Sequence, residues 1–372
     1  MQNVFIRKRG NKYVVTLEYR NKETGKKKQK ALGSYSKKKD AENALIEEKS
    51  KIINGNFIIP EKITFEQYLK QWLKHHKSNL SVTTYPRYKY IIDKQISPAI
   101  GEIELQKLTP LDLEDFYHSM LKTLNSKTVL QYHRVIHKAL NKAYKLELIN
   151  KNISDLVELP KIKKYKAKAL TIKEVKQLLE LSKNTRVEIP INLAIALGLR
   201  SGEILGLSWD NVNFDNNTIV ICKTLVKDKA NKSLVFKEPK SETSIRTLTV
   251  PLQLMDILKE HKKKQNKLQL KSYGAFRNEF NLVFTKLDGA PMASDSFSRI
   301  FKDFINRNDL PNIRFHDLRH ANATLMLASG TSMKVASTRL GHSAIGITMD
   351  LYTHVLQGLE EEAAKNISDL IY

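Results

Sequence analysis

Cysteine is nearly absent from this sequence: there is one residue in 372, Cys222. An internal disulfide is thereby excluded, and no Cys or His cluster surrounds that thiol to suggest a zinc site. Its setting in the apolar stretch TIVICK reads as strand core rather than as a reactive thiol. Long apolar runs are missing too. None approaches the ~20 residues needed to span a bilayer, and the opening MQNVFIRKRGNKYVV has no apolar core of a signal peptide. These absences describe a reduced, soluble, cytoplasmic chain with no membrane partner. Acidic residues are the third scarcity. Thirty-nine Asp and Glu stand against 63 Lys and Arg, for a formal net charge of +24 and a pI near 9.7. Such an excess favours a polyanionic partner, nucleic acid before all others. Lysine far outnumbers arginine, and the plainer alternative for part of the excess is the coding habit of an AT-rich genome.

What is present suffices for real cores: 41% of residues are hydrophobic, and the length suits two or three domains. Residues 1–58 read as a small basic α+β module. NKYVVTLEYR alternates apolar and polar side chains as a strand does, a turn follows at NKETGKK, and a second strand lies near QKALGSY. KKKDAENALIEEKSKII then has helical spacing, with Ala41, Leu45 and Ile52 available for one face. The spacing thus predicts two or three strands backed by a helix. In residues 1–60, fifteen Lys/Arg and six Asp/Glu leave 15 − 6 = +9. A β-ribbon this basic suits a DNA groove; a solvated basic extension is the plainer alternative.

Residues 61–155 read as all-helical. Thr64 followed by Gln67 resembles a capping box ahead of Tyr68, Leu69 and Trp72. Further helical stretches run over Thr83–Ile96, Pro110–Leu121 and Ser126–Leu148, separated by Ser97-Pro98, Gly101 and Thr109-Pro110. In the last stretch Val129, Tyr132, Val135, Ile136, Leu140 and Ala143 recur at steps of three and four. Lys89, Lys127, His133 and Arg134 are available to phosphates, although helix-face charges are usually only solvated. After Pro160, residues 161–168 hold five lysines and read as a linker able to track a DNA backbone. From 165 to 372 the pattern is mixed: helices at TIKEVKQLLELS and PINLAIALGL, strands at TIVICKTL and SLVFKE, then mostly helices.

Four signals in this last segment carry chemistry. GLRSGEILGLSW places Arg200 where one apolar helix ends and another begins. KEPKSETSIRTLTV is a polar turn between strand-like runs and carries Lys240. FHDLRH supplies His316 and Arg319, three apart and hence on one helical face. LGHSAIGITMDLYTHV sets His342 ten residues before Tyr352. Singly, each has a dull explanation. Arg200 can cap a helix or pair with Glu203, Lys240 can be a solvated hairpin lysine, and Tyr352 can be a packing tyrosine. The force lies in the ordered set.

That set resembles the catalytic residues of the tyrosine recombinases, the lambda-integrase family. HDLRH and LGHS…LYTH are its specific motifs, and the segment order is similar to that of phage and conjugative-transposon integrases. The resemblance implies an arm-type DNA-binding module (1–58), a helical core-binding domain (61–155) and a mixed α+β catalytic domain (165–372), mainly helical with small β elements. It also implies Tyr352 as the nucleophile that forms a 3′-phosphotyrosine link to DNA. Two guanidiniums, Arg200 and Arg319, suit the non-bridging oxygens of a pentacoordinate phosphorus, and His342 suits a third donor. A phenol with a pKa of ~10 needs a base near neutral pH, and His316 is the natural one. Lys240 is placed by resemblance to protonate the leaving 5′-oxygen; Lys237 lies close by, but Pro239-Lys240 fits the family pattern better. Ala321 stands where the family often has a small hydroxyl residue. Glu203 can orient Arg200 or be a surface acid, and His320 and His354 are read as packing residues.

No phosphate-binding glycine loop and no acidic cluster for two metals is visible. The expectation is therefore a recombinase without cofactor or metal, since a phosphotyrosine bond keeps the energy of the bond it replaces. Partners implied by the resemblance are double-stranded DNA at core and arm sites, three further copies of the chain around a Holliday junction, an excisionase and a host DNA-bending protein. The apolar residues Val355, Leu356, Leu359, Ile367, Leu370 and Ile371 fit a tail that packs on its own domain or on a neighbour. A type IB topoisomerase and a non-catalytic DNA-binding descendant are the competing readings.

Overall fold

The computed structural model describes residues 3–20, 25–53, 62–162, 170–228, 231, 233–238, 245–341 and 368–369. They divide into two compact units, Met1–Lys163 and Lys164–Tyr372.

The first unit holds two separate cores. In its N-terminal part β1 (Asn3–Arg9), β2 (Lys12–Arg20) and β3 (Lys27–Tyr35) form an antiparallel sheet in chain order. Gly10, at φ 57°, takes the left-handed conformation in the turn joining the first two strands. Helix α1 (Lys38–Ile53) packs on the sheet, and Val4, Val15, Leu17 and Ala41 form the core, with Leu45 and Ile52 half-buried against it. The module so expected has three strands; the additional one is VFIRKR, whose basic end hides its alternation.

The second core belongs to a helical bundle. Helix α2 (Phe65–His76) starts at the capping box expected from Thr64 and Gln67: each side chain bonds the other's backbone N–H, at 3.2 and 3.1 Å. Helix α3 (Thr84–Ile91) runs through a π turn at Ile92–Ile96 into α4 (Ser97–Ile100). Ser97-Pro98 therefore does not separate two elements, contrary to the sequence reading. The widened turn lets Ser97 N–H reach the carbonyl of Ile92, and Pro98 falls in the first turn of α4, where an N–H is dispensable. Helix α5 (Pro110–Leu121) has its own capping box, Thr109 with Asp112, and α6 (Ser126–Lys145) is capped by Asn125. All six apolar positions read along α6 are buried. His133 is buried too, its Nδ1 3.1 Å from the Tyr117 hydroxyl, so it serves the core and not a phosphate. Lys89, Lys127 and Arg134 are exposed.

The second unit is built around one apolar helix. Helices α7 (Ile172–Ser182) and α8 (Glu188–Leu197) are followed by the short α9 (Ser201–Leu205). EIPINLAIAL has three isoleucines and a proline, poor material for an isolated helix. Burial overrides that: seven of its ten residues are buried, and a fully buried Leu or Ile contributes roughly 1.5–3 kcal/mol. Pro190 sits in the first turn, where no helical hydrogen bond is lost. The β elements are a sheet ordered β4 (Val212–Asn213), β5 (Thr218–Ile221), β8 (Arg246–Thr249) and a ribbon of β6 (Thr224–Asp228) with β7 (Ser233–Lys237), all antiparallel. Cys222 lies just past β5, half-buried with its thiol 3.6 Å from Asn211 Oδ1, and is not the strand-core residue expected. Helices α10 (Leu252–Lys271), α11 (Ser294–Arg307), α12 (Asp317–Ala328) and α13 (Met333–Leu340) complete the unit, with α12, α7, α10 and α9 against α8. Among the described residues no helix is long and apolar enough to cross a membrane.

Gly198 ends α8 at φ 66°. A Cβ there would press on Leu340 and come within 2.6 Å of Asn322 Oδ1. Gly198→Ala therefore meets both backbone strain and a packed wall. The expected cost is about 2 kcal/mol or more, seen as a fall of roughly 4–8 °C in the thermal midpoint of this unit. A midpoint within a degree of the parent would contradict this packing.

Candidate functional site

The left-handed turn at Gly198 stops α8 and throws the chain into Leu199, which is buried, and Arg200, which adopts an extended backbone as the residue before α9. Glu203 lies one turn on. Its carboxylate accepts from the Arg200 backbone N–H at 2.9 Å and from Arg200 Nη1 at 2.8 Å. It is 5% exposed, so the choice between an orienting carboxylate and a surface acid is decided for the first. A second guanidinium meets it from β8: Arg246 donates from Nη2 to Oε2 at 2.9 Å and from Nη1 to Oε1 at 3.2 Å. Burial works to raise the Glu203 pKa, but hydrogen bonds and charge from Arg246 and Arg200 override it and leave the group below its ordinary value.

Arg319 comes from the first turn of α12 and is 2% exposed. Its Nη1 donates to the Gly198 carbonyl and its Nη2 to the Leu340 carbonyl, both at 2.7 Å. Burial, then the nearby Arg200 charge, pushes its pKa down to about 9, so it stays a cation at neutral pH. Arg200 reaches the same helix end, Nη2 to the Gly341 carbonyl at 2.9 Å, and Arg246 Nε binds the Arg339 carbonyl at 2.9 Å. Three consecutive carbonyls at the end of α13 thus each receive one arginine. A helix C-terminus is negative and leaves its last carbonyls without helical partners, so cations are its natural caps. Three guanidiniums face a single carboxylate in this group of four, a local excess of positive charge suited to a bound anion.

His316 precedes α12, one turn before Arg319, with its ring edge-on to that of His320 at 4.9 Å. The residue keeps access to solvent, yet the protein behind it, then His320 and Arg319, push its pKa down to about 4. It is therefore neutral, and able to accept a proton, throughout the physiological range. A histidine NMR titration of the free protein should give a midpoint near 4, and His320→Asn should raise it only in part, since burial is the larger cause. A midpoint already at 6.5 in the parent would remove this account of the ring's environment. His320 is half-buried, and its Nδ1 has no hydrogen-bond partner among the described residues. Asp317, between them, is buried and held by Arg314 through Nη2 at 2.7 Å and the backbone N–H at 2.8 Å. Ala321 is buried in the core.

The fold brings Arg200 from one stretch of sequence together with His316 and Arg319 from another, and Glu203 binds Arg200 and Arg246. Lys240, His342, Tyr352, His354 and the apolar positions of the tail lie outside the described residues. Lys237 closes β7. Arg246 is the residue that sequence reading missed, although a signal was there. Arg246, Leu248 and Val250 are buried while Thr247 and Thr249 are exposed, so the strand's alternation sets an arginine in an apolar row, where it must find a partner. A groove of about 500 Å³ lined by Ile189, Ile257, His261 and Phe284 lies at the other end of α8 and shares no residue with this cluster.

Comparison with known proteins gives three family matches: "Phage integrase family" over residues 168–358, "Phage integrase, N-terminal SAM-like domain" over 64–121, and "Arm DNA-binding domain" over 4–52. A tyrosine recombinase XerC-like protein of Caldanaerobacter subterraneus subsp. tengcongensis is 27% identical, with 96% of each chain covered. The ICEBs1 integrase of Bacillus subtilis is also 27% identical, over 83% of this chain and 84% of the relative. Among solved structures, a Tn1549 transposon integrase bound to transposon right-end DNA superposes with a TM-score of 0.69 at 19% identity, covering 81% of this chain and all of that one. A lambda integrase tetramer bound to a Holliday junction gives 0.58 at 17% identity, covering 92% and 94%. At such identities the structural likeness is one of fold.

Proposed function

The chain belongs to the phage integrase family, a site-specific tyrosine recombinase that breaks and rejoins DNA for a mobile element or phage, and we propose that Tyr352 is its nucleophile, with Arg200, Lys240, His316, Arg319 and His342 as the assisting set. The observation that carries this reading is the convergence of Arg200 and Arg319 on the end of α13, directly before the stretch containing His342 and Tyr352. Each guanidinium has five N–H donors, and the bonds to Glu203, Gly341, Gly198 and Leu340 use two from each arginine. The remainder are held in place by protein contacts made beforehand. Fixed charge of this kind stabilises a phosphorane most, because its non-bridging oxygens carry more charge than the ground-state phosphodiester.

In the proposed reaction the Tyr352 phenol attacks the scissile phosphorus, His316 takes its proton, and the 5′-oxygen leaves with a proton from Lys240. A 3′-phosphotyrosine forms, and attack by a 5′-hydroxyl from the second duplex reverses the chemistry and completes strand transfer. Sequential exchange within a tetramer passes through a Holliday junction. Residues 1–58 would hold arm sites, 61–155 the core site, and 165–372 would carry the chemistry. The test is a DNA substrate from the element's own junction, nicked near the cleavage position so that the released fragment diffuses away. The wild-type protein should trap itself on the 3′ side without ATP. Specific binding with no adduct would favour a non-catalytic DNA-binding role, and site-independent relaxation by monomers would favour a type IB topoisomerase.

A further inference from the structure

We infer that Arg246 is a positioning residue for DNA cleavage, acting through Glu203 on Arg200 and through the Arg339 carbonyl on the helix end that leads to the nucleophile. This rests on the reaction proposed above. Arg246 is only 9% exposed and binds Glu203 with both terminal nitrogens, so its fork is committed within the protein. Its Nε bond to Arg339 ties the same guanidinium to α13. One side chain therefore fixes two things at once: the carboxylate that aims Arg200, and the helix terminus on which Arg200 and Arg319 also rest.

Stability alone does not call for this arrangement. Arg200 already supplies Glu203 with a counter-charge, and a second buried guanidinium adds a large desolvation cost that an apolar side chain would avoid. What the second guanidinium adds is geometry. A carboxylate gripped along both oxygens by a planar fork cannot swing, and Arg200, bonded to that carboxylate through side chain and backbone, inherits the restraint. Gly341 shows how closely the parts meet. Its φ is 66°, and a Cβ there would lie 3.0 Å from Arg246 Nη1.

The test compares Arg246→Lys with wild type in the full-length protein, reading thermal midpoint, affinity for the junction DNA, and single-turnover cleavage of the nicked substrate. Lysine keeps the charge but offers one nitrogen in place of three. Cleavage should fall on the order of 10²-fold while DNA affinity stays within about threefold, since a small misplacement of a reacting group acts on the chemical step. The distinguishing readout is a substrate whose scissile phosphate is a methylphosphonate, which lacks the negative charge that Arg200 serves. On it the gap between Arg246→Lys and wild type should close to within about tenfold, in parallel with Arg200→Ala. Glu203→Gln, which keeps the shape and removes the charge that Arg246 grips, should show the same closing gap even if Arg246→Lys melts early. Equal losses on both substrates, or no loss on either, would overturn the inference. A wild-type protein that forms no adduct would instead bring down the reaction on which it rests.

Discussion

Tyr352→Phe is expected to abolish the covalent DNA adduct, lowering its rate of formation by more than about 10⁴-fold, as removal of a nucleophile does in covalent catalysis. The change deletes one oxygen and keeps the ring. A single hydroxyl contributes on the order of 1 kcal/mol to binding, so affinity for the junction DNA should change by less than about tenfold. That separation is what makes the experiment informative. Trapping on a nicked substrate, followed by protease digestion and mass analysis of the DNA-linked peptide, reads the bond directly. An adduct of undiminished yield from the Phe variant would place the nucleophile elsewhere and dismantle the role given to the whole C-terminal motif.

The second large effect falls on Arg319. In the reaction proposed above Arg319 is a clamp on the transition state, so Arg319→Ala is expected to cost roughly 10²–10³ in the chemical step, as is typical of one preorganised donor group. It also strips partners from the carbonyls of Gly198 and Leu340, and each unsatisfied buried carbonyl costs about 1–3 kcal/mol. Catalysis and stability should therefore both suffer, and the two must be measured apart. Arg319→Lys separates them. It retains a charge in the cluster but cannot reach both carbonyls with a fork, so it should recover part of the melting temperature and little of the cleavage rate. Cleavage by Arg319→Ala within tenfold of wild type, measured well below its melting point, would exclude the clamp.

Much of the fold was legible wherever one local pattern ruled alone. The apolar stripe of Val129 to Ala143 and the Thr64–Gln67 cap needed no tertiary information, because helical periodicity and an end signal agreed there. Where two signals opposed each other, the louder local one misled. Ser97-Pro98 looks like a break, yet a π turn absorbs the proline. Cys222 sits in an apolar string but falls one residue past the strand that the string suggests. Among the site residues, Arg200, His316 and Arg319 stood out through ordered motifs. Their mutual support did not, since the links run from Arg246 in a strand and from the carbonyls of residues 339–341, and a backbone carbonyl has no signature in sequence. Glu203 was noticed but left undecided, because its burial depends on what β8 brings to it.

The grip of three arginines on the end of α13 also sets a radius. Gly341 is an anchored point, and Tyr352 follows it by eleven peptide steps, so the Tyr352 Cα can never lie farther than about 40 Å from that anchor. Confinement to a sphere of that radius corresponds to a local concentration about the anchor of roughly millimolar or above. If Tyr352 is the nucleophile proposed above, its encounter with a phosphate held by Arg200 and Arg319 is therefore not the scarce event. Timing of the attack must come from alignment, and alignment is what a fixed origin for the tether supplies.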